Sequence, residues 1–370
     1  MDNIVIINNE CFRDTDIPIG LLLERNYNVD YYILLDKDTH LTKDSIQKMV
    51  PEGTNLKIHY LNGFYRRKSL NYFRLLFNVL IKIRKRKPKV ILTGIKEDLW
   101  GELLLPFFFK KRMVYMLHDA QRHPISHFSL SNFLVDKLDN FFLLLCNRFI
   151  LFSKEQKEIF NDRFPQKKSI YILKPLQKYG QSSIDKPSIE KECKFLFFGW
   201  VSYYKGIDLL IDAFENVSKK VSKNISLSIY GRVGDNWQEW TKHIKTASLY
   251  NMQIRFFEDS EIPEIFQSHH YLVLPYRQVT QSGPFSVALE YGLPTIASNI
   301  GIFSNIISNE KNGFLFTKES VSDLEKCLEK ALHYNEIEYQ NLSSRVRLLK
   351  DKLYDEEKTL AKLEKIINLL

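Results

Sequence analysis

The sequence predicts an α/β protein built as two consecutive doubly wound domains. Short runs of β-branched and aromatic residues alternate with longer amphipathic stretches, the pattern of parallel strands joined by helical crossovers. The runs fall into two sets with a polar, aperiodic stretch between them. The chain has 370 residues, and a single core of that size is unusual, so two domains of about 180 residues are the expectation.

The first set of strands is placed at 4–7, 31–35, 56–61, 90–93, 113–117, 149–152 and 170–173. The second is placed at 195–198, 225–230, 254–257, 271–274 and 295–297, with 314–316 as a further candidate. Each run is long enough for a strand and too short for a helix. Residues 179–193, YGQSSIDKPSIEKEC, carry turn formers and no periodicity. They set a first domain at 1–180, a linker at 181–193 and a second domain at 194–345. Residues 319–335 and 336–370 read as charged helices, and the part over 346–370 has the length to cross back to the first domain. No fixed-period repeat is visible, which excludes a solenoid. Ligands of open α/β sheets bind beyond the carboxyl ends of the strands, so the expected site is a cleft where the two domains face each other.

With 44% hydrophobic and 26% charged residues the chain is not disordered. Its longest apolar run, 103–109, falls far short of the roughly 18 residues that span a bilayer. Asp2 and Glu10 give the first ten residues the wrong charge order for a secretory signal, so a cytoplasmic location is expected. Cys11, Cys146, Cys193 and Cys327 are scattered without a CxxC pair, which suggests reduced thiols and neither a zinc site nor a disulfide framework. The net charge of +9 is uneven: residues 1–180 sum to +11 and residues 181–370 to −2. Between 61 and 90 stand ten basic residues and no acidic one, a block that calls for an anionic partner.

The most informative stretch is 271–301, YLVLPYRQVTQSGPFSVALEYGLPTIASNIG. A buried strand ends at Pro275, and Ser282, Gly283 and Pro284 begin a helix with a hydroxyl cap and an early proline. Amides at that helix start favour an anion such as a diphosphate, although Pro284 contributes none. Glu290 follows Ser282 by eight residues, about 12 Å along a helix. That spacing suits contacts at two ends of an extended nucleotide diphosphate sugar, the carboxylate accepting ribose hydroxyls; the plain alternative is a solvated helix residue.

Here the sequence resembles the GT-B glycosyltransferases of family 4, also called group 1. Their donor signature is a carboxylate, seven residues, a second carboxylate and a Gly-Leu-Pro turn. Glu290-Tyr-Gly-Leu-Pro294 matches its second half, while Ser282 stands at the first carboxylate, as in the branch that writes Gln281-Ser282-Gly283. A second match is 195–214, FLFFGWVSYYKGIDLLIDAF, with Gly199 at a strand end and Lys205 as a phosphate cation. The family commonly has arginine after that glycine, where this chain has Trp200, read here as a packing residue; Arg232 or Arg277 is the candidate replacement. The resemblance further implies that His118 positions the sugar, with Asp119 beside it as a catalytic or loop-bracing group. His123, Ser153 and Lys174 follow as candidates of less weight. The family's glycine-rich loop after the first strand is missing, since no glycine precedes Gly20. The resemblance extends over about 190–335, more weakly over 110–180, and is architectural before that.

What it implies is a fold of two Rossmann-like domains and a retaining transferase acting on a nucleotide sugar and a glycan or lipid-linked acceptor. The donor set is Gly199, Lys205, Arg232, Arg277, Gln281, Ser282, Gly283, Pro284, Phe285 and Glu290. No cofactor and no metal are expected, there being no Asp-x-Asp motif in a donor loop. The basic segment 64–90, read as an amphipathic helix followed by a polybasic run, offers Arg66, Arg67, Lys68, Arg84, Lys85, Arg86 and Lys87 to an acceptor or to an anionic membrane surface. Nucleic acid is the rival partner for such a patch, but no nucleic-acid module accompanies it, and none is expected to bind. A peripheral place on the inner face of the cytoplasmic membrane follows. Two other readings stay open: a nucleotide-sugar enzyme such as an epimerase, and a partner subunit that keeps the fold without the chemistry.

Overall fold

The structure is a computed structural model that describes all residues except 37, 38, 40, 63–68, 96, 97, 119–140, 234–236 and 370. The chain divides into two compact units, Met1–Gln177 with Tyr354–Leu370, and Lys178–Leu353.

Among the described residues, unit 1 holds β1 (Asn3–Asn9), β2 (Asn28–Leu35), β3 (Lys57–Asn62), β4 (Val90–Thr93), β5 (Met113–Leu117), β6 (Arg148–Leu151) and β7 (Lys168–Tyr171). They pair in parallel in the order β3-β2-β1-β4-β5-β6-β7. Unit 2 holds β8 (Cys193–Phe198), β9 (Ile225–Gly231), β10 (Tyr250–Ile254), β11 (Tyr271–Leu274), β12 (Thr295–Ser298) and β13 (Gly313–Phe316). These run in parallel in the order β10-β9-β8-β11-β12-β13. Both sheets are doubly wound: the order reverses between β1 and β4 in one and between β8 and β11 in the other. This is the α/β, GT-B architecture that the sequence predicts.

Among the helices covering the sheets are α1 (Arg13–Leu23), α2 (Leu70–Lys85), α3 (Leu99–Phe109), α4 (Lys154–Arg163), α5 (Ile207–Ser218), α6 (Gly283–Glu290), α7 (Val321–Leu332), α8 (Glu336–Leu353) and α9 (Glu356–Ile367). Several begin on side-chain caps. Ser69 accepts from Tyr72 N, Asp98 from Gly101 N, Ser320 from Asp323 N and Asp355 from Lys358 N. Such a cap contributes about 1 kcal/mol by pairing an amide the helix leaves open.

Strand periodicity sorts the core of unit 1 into two layers. Ile4 and Ile6 of β1 face Ile17 and Leu23 of α1 and Leu360, Leu363, Ile366 and Ile367 of α9. Val5 and Ile7 face Leu76 and Leu80 of α2 and Leu104 and Leu105 of α3. The helix α9 therefore belongs to unit 1, although unit 2 intervenes in the sequence. The stretch 336–370 is not one helix: it breaks between Leu353 and Asp355, the cap of α9.

One strand lies elsewhere than the sequence suggests. The apolar residues at 254–257 are not the ladder; β10 is the polar Tyr250–Ile254 at the sheet edge. Phe257 instead stacks on Tyr230, ring centres 5.4 Å apart, past the end of the strand. An edge strand has less apolar surface to declare it.

Candidate functional site

In unit 2 the loops that follow β8, β9 and β11 meet backbone to backbone. A Cβ on Gly231 would lie 1.7 Å from Gly199 O, and one on Gly206 would lie 2.0 Å from Pro275 O. Gly206 also has φ +67, which glycine adopts without the steric cost other residues meet. Gly199 in turn looks onto Pro284 at the start of α6, 3.4 Å from the position its own Cβ would take. These close approaches gather the carboxyl ends of the strands around the point where the sheet order reverses, the usual ligand position in such sheets.

Lys205 stands at that point. Only 8% exposed, it donates through Nζ to Tyr276 Oη at 2.6 Å and lies 3.9 Å from the centre of the same ring. Burial lowers its pKa from the ordinary lysine value. No carboxylate among the described residues pairs with it, so its charge remains available to an anion. Tyr276 is the residue that sequence reasoning missed: an aromatic side chain straight after a strand reads as core, and fully buried it serves there too.

The start of α6 has the hydroxyl cap and early proline that the sequence predicts. Ser282 is buried, and its hydroxyl accepts from Phe285 N at 3.3 Å. It thus caps the helix, and Phe285 contributes a buried ring that packs on Phe303 with centres 5.3 Å apart. Gly283 is exposed, with open space where a Cβ would stand. Pro284 fills the first turn, and Gln281 is half-buried just ahead of it.

Arg277 is not a free cation. Its guanidinium makes a two-pronged bond to Asp208 at 2.9 and 2.7 Å, donates to Glu319 at 3.2 Å and lies over the Tyr203 ring. This corrects its reading as a stand-in for a phosphate-binding arginine. The bond to Asp208 holds the Arg277 pKa above its ordinary value, and the same bond, against burial, holds the Asp208 pKa below its own. Arg232 is the other candidate: exposed, it lies over the Trp200 indole at 5.5 Å. Trp200 is 48% exposed, so it is a surface platform and not the packing residue its sequence position suggests. Glu290 ends α6 with its carboxylate 3.7 Å from Lys350 of α8, a loose pair that leaves acceptor capacity on the oxygens.

In unit 1 the carboxyl strand ends bring together Phe12, His118 and Phe152. His118 follows β5 and lies between the two rings, centres 4.5 and 4.8 Å away. Asp119 and His123 lie outside the described residues. Ser153 caps α4 through Gln156 N. At the end of β1, where a glycine-rich loop is missing, Asn8 accepts from Gly94 N and donates to Asp16 at 2.8 Å. Burial pushes the Asp16 carboxyl up to about 7, with the charge of Lys174 acting the other way.

The polybasic run ends α2 and leads into β4, so it lies at the amino end of the sheet. Arg86 there donates to Asp30 at 3.3 Å and to Tyr32 Oη at 3.2 Å. Arg84, Lys85, Arg86 and Lys87 thus stand at the opposite end of the sheet from His118, which follows β5. β4 alone separates the two ends by about 13 Å. Arg66, Arg67 and Lys68 lie outside the described residues.

Residues 181–348 match the family model described as "Glycosyl transferases group 1". Unit 2 is therefore a group 1 glycosyl transferase domain, as its resemblance implies, and the whole chain has the fold of such enzymes. The Anabaena protein Alr3699/HepE, solved with UDP and glucose, is 16% identical with a TM-score of 0.72, and each chain is covered completely. S. aureus TarM, solved with Fondaparinux, alpha-GlcNAc-glycerol and UDP, is 13% identical with a TM-score of 0.71 over 100% of both chains. The catalytic domain of Starch Synthase IV from Arabidopsis thaliana, bound to ADP and acarbose, is 14% identical with a TM-score of 0.70, covering 99% of this chain and 98% of that one. No curated protein matches the chain.

Proposed function

We propose that this glycosyltransferase moves a sugar from a nucleotide diphosphate sugar to a glycan or lipid-linked acceptor, with retention, in the assembly of a surface polysaccharide or glycoconjugate at a membrane surface. The observation that carries the reading is Lys205, a buried cation without a carboxylate partner at the strand ends where three glycine-tightened loops converge. A diphosphate supplies the missing negative charge, and in a water-poor site the pairing is stronger than in solution. Gly283 N adds a donor at the helix start, and Arg232 a second cation. Glu290 takes the ribose hydroxyls. From unit 1, His118 orients the sugar. Catalysis then consists of positioning and of stabilising the departing nucleoside diphosphate. The reading needs no metal. The molecules bound in solved structures of this fold, UDP and glucose in one and ADP and acarbose in another, support a nucleotide here.

The test is a thermal-shift panel of UDP, GDP, dTDP, ADP and CMP with their sugar conjugates, on the wild type and on Lys205→Ala and Glu290→Gln. A ligand that binds the native state raises the midpoint by mass action. One nucleotide raising the wild-type midpoint, with a smaller rise in both variants, is the expected result. A panel with no rise in the wild type overturns the proposal in favour of a partner subunit without chemistry.

A further inference from the structure

One layer of unit 1 has a surface the donor site does not explain. The helices α2 and α3 and the helical residues 141–145 lie on the same face of the first sheet, since Leu76, Leu105 and Phe142 share one core layer. α2 and α3 join through an aromatic seam: Phe73 meets Trp100 at 4.8 Å and Phe77 meets Phe108 at 5.4 Å. Beyond that seam α3 turns Leu103, Phe107 and Lys110 outward, at helical positions i, i+4 and i+7. A helix covering a sheet ordinarily presents polar residues to water. The stripe on α3 presents none before Lys110. Phe107 is 74% and Leu70 67% exposed, and Leu103, Phe141 and Leu144 are exposed with them.

The exposed charge on α2 and α3 has one sign. Among the described residues from 69 to 112, the carboxylates Asp98 and Glu102 are both buried. Arg74, Arg84, Lys85, Lys110 and Lys111 are all exposed. Arg84 also lies over the Phe108 ring at 5.8 Å, so cations and aromatics share the surface.

We infer that this surface of α2 and α3 docks on an anionic phospholipid bilayer, with Phe107 and Leu103 entering the headgroup boundary and the surrounding cations pairing with lipid phosphates. Apolar insertion and basic attraction act together in such contacts, and neither alone holds a protein firmly. No helix among the described residues is long and apolar enough to cross a membrane, so the contact is lateral. A protein partner or nucleic acid fits less well: nucleic acid has no use for an exposed Phe107, and a neutral protein surface has none for the cations. The inference deepens the membrane part of the proposed function but rests on unit 1 alone.

The experiment is co-sedimentation of the full chain with vesicles of phosphatidylcholine containing about one third phosphatidylglycerol, and with phosphatidylcholine alone, over a salt series. Phe107→Ser with Leu103→Ser, and separately Lys110→Gln with Lys111→Gln, are compared with the wild type. All four side chains are exposed, so folding is unaffected, and circular dichroism checks it. The expected result is binding to the anionic vesicles that falls with salt, drops about tenfold in the serine variant, and weakens about fivefold per cation removed. A wild type that stays in the supernatant overturns the inference, as does binding that the variants leave unchanged. A wild type that sizes as a dimer which the serine variant converts to monomer also overturns it, assigning the layer to a second copy of the chain. Nucleotide thermal shifts on the serine variant separate this outcome from failure of the donor site.

Discussion

The Lys205 ammonium lies 2.6 Å from Tyr276 Oη and 3.9 Å from the centre of the same ring, so a single phenol holds a buried cation by its oxygen and by its face. Tyr276→Phe keeps the face and removes the oxygen. A hydrogen bond to a charged group contributes about 1.5 kcal/mol or more, so the donor KM should rise roughly tenfold with the fold intact. Lys205→Ala should lower kcat/KM further. Steady-state kinetics on both variants check this, and an unchanged KM in both would remove Lys205 from the donor site.

Arg277 is expected to matter for stability and not for donor affinity. Its two-pronged bond to Asp208 ties the loop after β11 to the start of α5. Arg277→Ala leaves Asp208 without its partner and should cost about 2 kcal/mol, read as a drop in denaturant midpoint. A variant of unaltered stability with a raised donor KM would return Arg277 to the phosphate.

Two glycines of positive φ give a paired test of backbone crowding. Gly53 has φ +80 with nothing near its absent Cβ, whereas Gly206 has φ +67 with Pro275 O at 2.0 Å. Gly53→Ala should cost about 1–2 kcal/mol from conformation alone. Gly206→Ala must also push apart the loops after β8 and β11, and should abolish donor binding or yield no folded protein. Equal stability of the two variants would show that the loops do not close on one another.

Asp16 makes stability depend on pH in a stated direction. Its folded pKa is raised to about 7 from 3.8, chiefly by burial, so the folded state holds the proton more tightly. That contribution is full below pH 3.8 and is lost as pH rises through about 7. Asp16→Asn keeps the shape and removes the titration. The difference in unfolding free energy between the wild type and the variant should therefore shift in favour of the variant between pH 4 and 7 and level off above. A difference that is flat with pH would place the Asp16 pKa near its ordinary value. Burial of His269 and His270, lowered to about 4 each, acts on stability in the opposite direction and is common to both proteins, so it cancels in the difference.

The fold was legible because parallel strands buried on both faces are continuous apolar runs, as with 113–117 and 271–274, which the structure reproduces in full. Strand ends that begin with a charge, such as Arg148 and Lys168, extend beyond what apolarity shows, because the ladder needs only backbone. At the site, glycines and the Ser282 cap were readable, since φ and capping are local properties. Whether a cation is free is not local. Arg277 and Arg232 look alike in sequence, and only the arrival of Asp208 and Glu319 from distant segments distinguishes them. Tyr276 was hidden for the same reason: its oxygen accepts from Lys205, 71 residues away.

The helix α9 closes a core whose other parts precede Gln177 in the chain, with all of unit 2 between. During synthesis this reverses the natural order of completion. Unit 2 has all its segments once Leu353 has emerged, while unit 1, begun first, still lacks Leu360, Leu363, Ile366 and Ile367. A nascent chain stalled before α9 would carry one finished unit and one with an uncovered apolar seam. Quality-control proteases would therefore meet unit 1 as the vulnerable half, even though it is the older one on the ribosome.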